Sequence, residues 1–172
     1  FSFSDRGVER LSALRGRRRT RDMGQWLLDL SPGGKTDFVE ACKVLSTARQ
    51  GRGVLVVISD CLSGDGLSQG LKYLAGGGWD VFLMQTLAPE EIDPEREGME
   101  GDIRLEDVET GDTCEITVTS PLIEKYKERL HSYCEDLRTQ CARLGVGSAR
   151  VSTDIDMETL LVEYLRSRGL LR

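Results

Sequence analysis

The sequence predicts an α/β fold, a doubly wound and mostly parallel sheet flanked by helices, and three stretches carry that reading. Val54-Leu55-Val56-Val57-Ile58-Ser59-Asp60 is a short run that is apolar through Ile58 and rich in β-branched residues. Such a run suits a strand covered on both faces, inside a parallel sheet rather than at its edge. Leu67, Leu71 and Leu74 then mark a brief helix, and Trp79–Leu87 a second apolar strand. Strand, helix and strand at this spacing make a βαβ unit with a right-handed crossover. The third stretch is a long amphipathic helix from Ser120 to Leu144, followed by a last strand at Ala149–Asp154.

With 172 residues the chain suits one domain, 1–172, with a sizeable core. Apolar residues make up 39% and charged residues 30%, and the net charge of −6 argues against general nucleic-acid or membrane-surface binding. No apolar run is long enough to span a bilayer, and no signal peptide is evident. The five cysteines, with no CxxC pair, favour reduced thiols in a cytoplasmic setting. The chain opens on Phe1-Ser2-Phe3-Ser4-Asp5, without an initiator Met and already in strand-like alternation. It therefore reads as a fragment of a longer protein, and a membrane anchor upstream of Phe1 stays open.

In chain order, Phe1–Phe3 alternates, Asp5-Arg6-Gly7 turns, and Val8–Leu14 reads as a short antiparallel edge strand. Arg15, Arg17, Arg18, Arg19 and Arg21 form the one strongly basic run, which would suit a phosphate or an acidic partner. With no interleaved aromatics in an acidic chain, it reads as a solvated approach to a helix. Trp26, Leu27, Leu28 and Leu30 form the apolar face of that helix, stopped by Ser31-Pro32-Gly33-Gly34. Asp37 with Glu40 three residues on resembles a capping box, opening a helix with Phe38, Ala41, Cys42 and Leu45 on one face. Gly76-Gly77-Gly78 closes the crossover helix. Residues 89–101 form an acidic loop, and Ile103–Leu105 and Cys114–Val118 alternate around Glu109-Thr110-Gly111-Asp112 as a hairpin. Ser120-Pro121 starts the long helix, striped by Leu122, Tyr126, Leu130, Tyr133, Leu137, Cys141 and Leu144 and stopped at Gly145. Asp156 caps a final helix bearing Leu160, Leu161, Tyr164 and Leu165.

Most candidate chemistry fails on spacing. Gly34-Lys35-Thr36 resembles the end of a P-loop, but the required earlier glycine would fall at Asp29, and the segment follows a helix instead of a strand. His131, the only histidine, has no converging ligands in the sequence, and Cys134 and Cys141 read as core. Ser59, Cys61 and Ser63 have no histidine at a motif spacing for nucleophilic catalysis. Asp60 stands apart, because ligands of open α/β sheets bind beyond the carboxyl ends of the strands. Its competing role is to cap the turn that follows. Thr36 opens the preceding helix, and a hydroxyl and a carboxylate at the top of a sheet suit Mg²⁺ or Mn²⁺.

Phe-Ser-Phe-Ser-Asp at 1–5, Ser-Pro-Gly-Gly-Lys-Thr-Asp at 31–37 and Val-Leu-Val-Val-Ile-Ser-Asp at 54–60 resemble the later two-thirds of a von Willebrand factor A-like domain. More narrowly they are similar to bacterial proteins of domain-of-unknown-function family 58. Gly-Trp-Asp-Val-Phe, Leu-Glu-Asp-Val-Glu-Thr-Gly, Tyr-Lys-Glu-Arg-Leu and Arg-Val-Ser-Thr-Asp extend the resemblance along essentially the whole chain. It implies a Rossmann-like sheet with a metal-ion-dependent adhesion site, the metal held by Thr36 and Asp60, with Lys35, Asp37 and Ser63 on the same binding face. It implies a non-catalytic docking module whose cation is completed by an acidic group of a partner, a MoxR-like AAA ATPase. The Asp-x-Ser-x-Ser that follows the first strand in that family is absent, so the chain is expected to start at the second strand and to bind metal weakly or not at all. The strands on either side of the absent one are expected to carry unpaired backbone groups, which invites dimerisation.

Two rivals remain. A nucleotide- or phosphate-handling enzyme domain would use Asp60 as acid or metal ligand and carry a glycine-rich first loop upstream. A nucleic-acid contact through Arg17, Arg18 and Arg19 would weaken steeply with salt.

Overall fold

The structure is a computed structural model that describes residues 1–4, 7–31, 37–48, 53–62, 66–96, 98–107 and 111–166, with backbone alone at 163 and 164. Structural statements concern these residues. The predicted turns at Asp5-Arg6, Pro32-Gly33-Gly34 and Glu109-Thr110 lie outside them.

Three strands form the central sheet: β3 (Gly53–Ser59), β4 (Trp79–Leu87) and β7 (Gly147–Ser152), in the order β3-β4-β7 and all parallel. Leu55 stands beside Val81 and Val57 beside Leu83, while Gln85 stands beside Arg150. The predicted βαβ unit is present, with α3 (Leu67–Gly76) as the crossover. A β1–β2 hairpin (Ser2–Ser4, Gly7–Glu9) precedes it, so strand is confined to Gly7–Glu9 where Val8–Leu14 was expected. A second hairpin, β5 (Gly101–Glu106) with β6 (Thr113–Val118), pairs in the expected register, Ile103 opposite Ile116.

The helices divide unevenly between the faces. On one face α2 (Phe38–Thr47), α3 and α5 (Ser120–Arg143) enclose Cys42, Leu45, Val57, Leu71, Leu83 and Cys141. The contact between α2 and α3 is close, because a Cβ at Gly70 would lie 2.5 Å from Phe38 Cε1 and 2.9 Å from Cys42 Sγ. Phe3 meets Phe38 edge-on at 5.9 Å between ring centroids, which fastens the first hairpin to α2. The other face carries Phe82, Ala149 and Val151 under Leu165, from a C-terminal turn α6 (Met157–Thr159) that continues as a π-helical segment, Leu160–Leu165.

Short polar side chains start the helices as the sequence foretold. Asp37 accepts a bond from the Glu40 amide at 2.9 Å, and Asp156 from the Thr159 amide at 3.0 Å. The start of α5 differs in detail: Thr119 holds the cap position without a side-chain bond, with Pro121 in the first turn. Gly145, at φ +69°, ends the helix in the left-handed conformation expected of it.

Three expectations are corrected. β3 is covered on one face only: Val54, Val56 and Ile58 are 60%, 40% and 59% exposed, because no described element lies over that side of the edge strand. Of the expected stripe of α5, Leu137 and Cys141 are buried, together with Cys134 and Ile123, while Leu122, Tyr126 and Tyr133 lie towards solvent. The helix α1 (Thr20–Asp29) forms, but it buries none of its residues, so Leu27 and Leu28 face outward.

Candidate functional site

Strand β3 delivers Asp60 to the carboxyl end of the sheet, and Cys61 and Leu62 continue from it in a turn anchored by side chains. The Leu62 amide donates to Asp60 Oδ1 at 3.1 Å, and the Cys61 amide donates to Ser59 Oγ at 3.1 Å. Asp60 therefore plays the turn-capping role weighed above, while the residue itself remains exposed. Cys61 adopts φ 63°, a left-handed conformation that costs a side-chain-bearing residue on the order of 1 kcal/mol. Its burial to 1% exposure offsets that strain, and the same burial pushes its thiol up to about 12.

Two side chains from other elements hold this turn. Gln85 on β4, 4% exposed, donates through Nε2 to the Asp60 carbonyl at 3.2 Å. The Tyr133 hydroxyl on α5 donates to the Cys61 carbonyl. Tyr126, two turns earlier, donates to the Glu91 carbonyl at 2.8 Å, so α5 ties down both the Cys61 turn and the short helix after β4. Desolvation raises both tyrosine pKa values above the ordinary phenolic range, which keeps these donors protonated. Sequence reading placed Gln85 in an apolar strand and the tyrosines in a core stripe. The signal available was the lone amide inside the Trp79–Leu87 run, since a buried polar side chain needs a partner.

Replacing Gln85 by Leu is expected to cost about 1–2 kcal/mol, the net worth of a hydrogen bond plus a carbonyl left short of its donor. Amide exchange at Cys61 and Leu62 should speed up with it. Unchanged stability and exchange would remove Gln85 from the positioning of the turn.

Of the residues assigned to the binding face, Asp37 is exposed and caps α2, and Asp60 ends β3. Thr36, Lys35 and Ser63 lie outside the described residues. No three His, Cys, Asp or Glu side chains converge as a metal set among the described residues. Asp60 offers one carboxylate with one oxygen already engaged by Leu62, which is too few donors for a hard cation that favours about six oxygens. These described residues alone do not fit a resident Mg²⁺ or Mn²⁺.

Beside the open edge of β3 runs an apolar cavity of about 170 Å³, lined by Phe1, Phe3, Leu45, Leu55, Val57 and Leu74 among others. It separates the first hairpin from the central sheet. Among the described residues no strand pairs with this edge.

A parallel three-stranded sheet flanked by helices, with an anchored carboxylate at its carboxyl end, defines a mixed α/β domain. The chain belongs to the family described as protein of unknown function DUF58, whose profile matches residues 1–134. It is 26% identical over 137 residues to an uncharacterized protein of Mycobacterium avium, covering 79% of this chain and 78% of that protein. The crystal structure of a conserved hypothetical protein, BatB, from Bacteroides thetaiotaomicron matches with a TM-score of 0.43 and 14% identity, covering 87% of this chain and 69% of that one. No helix among the described residues is long and apolar enough to cross a membrane.

Proposed function

We propose that this chain is a non-catalytic protein-docking module of the von Willebrand factor A-like, metal-ion-dependent adhesion-site type, acting with a MoxR-like AAA ATPase. The observation that supports it is Asp60: an exposed carboxylate at the carboxyl end of a parallel strand, on a turn pinned by Gln85 and Tyr133. A fixed carboxylate at the crevice of an α/β sheet is suited to recognition, because little side-chain and loop entropy is lost when a partner engages it. A divalent cation shared between Asp60, Thr36 and an acidic group of the partner is the bridge this reading entails. One described carboxylate is an incomplete set, so the isolated chain should hold Mn²⁺ weakly, with a dissociation constant no tighter than about 1 mM. Calorimetric titration giving micromolar affinity would overturn that expectation.

The docking reading is tested by co-purifying the chain with a MoxR-like ATPase in Mg²⁺ or in EDTA. Asp60→Ala and chelation are each expected to weaken the complex at least tenfold, with Asp60→Asn intermediate. A complex of undiminished affinity under both treatments sinks the reading.

A further inference from the structure

Besides the open face of β3, two apolar surfaces among the described residues lie outside the core, and they carry opposite charge. The first is α1. None of its residues is fully buried, Trp26 being half-buried, and Met23 and Leu27, 44% and 53% exposed, stand one helical turn apart. Its recorded polar contacts are local, Thr20 to the Arg17 carbonyl, Gln25 to Asp29, and Arg19 to Asp22. Five arginines crowd residues 15–21 without an acid among them. Cations at the start of a helix oppose its dipole and destabilise it by a few tenths of a kcal/mol each. Apart from the Arg19–Asp22 pair, this run does not serve the stability of its own helix.

The second surface is a groove of about 350 Å³, almost wholly apolar, between the second hairpin, a short helix α4 (Pro89–Ile92) and the first turns of α5. Ile103, Leu105, Ile116 and Val118 share one face of the hairpin and form its wall, with Leu122 and Tyr126 opposite. Leu105 and Leu122 are each 44% exposed. Glu90 and Glu91 line the groove, and residues 89–118 hold twelve acidic residues against two arginines. A chain whose net charge is only −6 is thus strongly polarised between these two segments.

We propose that the groove receives α1 of a second copy of this chain, the reciprocal contact completing a two-fold dimer. The groove accepts a helix presenting apolar side chains at i and i+4, the recognition mode of helix-in-groove complexes, and Met23 and Leu27 have that spacing. The arginine run meets the acidic segment, which steers the encounter and fixes which way the helix lies. Two-fold exchange uses both surfaces on both copies, as an isologous interface requires.

The test is sedimentation of the intact chain across the micromolar range at ~50 mM and ~500 mM salt, since screening at the higher strength removes most of the attraction between exposed charges. A dimer is expected at low salt, weakened at least tenfold at high salt. Leu27→Glu and Leu105→Glu, both at exposed positions, should each yield monomers with unchanged circular dichroism. A mixture of the two variants should regain a mixed dimer, because one intact α1 then meets one intact groove. Arg17→Glu with Arg18→Glu should give monomers without touching either apolar surface, which guards against a fold defect in the leucine variants. Monomers of the unaltered chain at low salt would overturn the proposal. So would association that survives all these substitutions, which would locate the contact at the β3 edge, and so would a mixture that forms no mixed dimer.

Discussion

Leu71→Ala is expected to lower stability by about 3–4 kcal/mol and the melting temperature by roughly 10 °C for a domain of this size. Leu71 is fully buried on α3, in the cluster that also holds Val57, Leu74 and Leu83. The cost of such a truncation depends on how far the surroundings collapse into the space left behind. Here the collapse is limited. The neighbouring Gly70 already brings α3 against Phe38 and Cys42 with no room for even a Cβ, so α3 has no freedom to slide along α2. The effect should reach the candidate site, because α3 leaves the sheet just beyond the Asp60–Leu62 turn. Thermal unfolding followed by circular dichroism measures it. A loss below about 1 kcal/mol would show a core that relaxes more than this packing allows.

What the sequence disclosed follows from how local each determinant is. β3, α3 and β4 were legible because two apolar runs flanking a short helix leave few other arrangements. Asp37, Asp156 and Gly145 were legible because a cap is decided within four residues of itself. The face of α5 was legible only in part, at Leu137 and Cys141. A helix of 24 residues with apolar side chains three and four apart contains two adjacent stripes, one through Tyr126 and Tyr133 and one through Ile123, Cys134 and Leu137. Only the elements packed against it choose between them. The tyrosines occupy the boundary because their rings suit the half-buried margin while their hydroxyls reach the backbone carbonyls of Glu91 in α4 and Cys61.

The site divides the same way. Asp60 could be picked out because it follows an unbroken apolar strand, where topology concentrates function. Gln85 and Tyr133, which hold its turn, are 25 and 72 residues distant along the chain. Nothing in the spacing of the sequence records such contacts. The exposure of Val54, Val56 and Ile58 also escaped the pattern, since burial on both faces depends on a neighbour that the run itself does not specify.

Raising the pH from 9 to 12 is expected to unfold the chain, with the steepest loss of stability between about 10 and 11. Burial pushes the thiols of Cys42 and Cys61 up to about 12 from an ordinary value near 9, and each residue is 1% exposed. Below pH 9 the folded and unfolded chains both keep these protons, and the thiols contribute no pH dependence. Between 9 and 12 the unfolded chain releases them while the folded chain retains them, so stability falls as pH rises. Each thiol sets a slope of about 1.4 kcal/mol per pH unit. Over this window the two together amount to several kcal/mol, on the order of the stability of an ordinary domain. Burial raises Cys141, Tyr126 and Tyr133 as well, which acts in the same direction. The diagnostic is the slope and not the midpoint. Cys42→Ala opens a small cavity and should be less stable at pH 7, yet its stability should fall less steeply above pH 9, by the share of one thiol. Denaturant unfolding at a series of pH values resolves the two effects. Parallel curves for the parent and Cys42→Ala above pH 9 would show that ionisation of this buried thiol does not drive the alkaline transition.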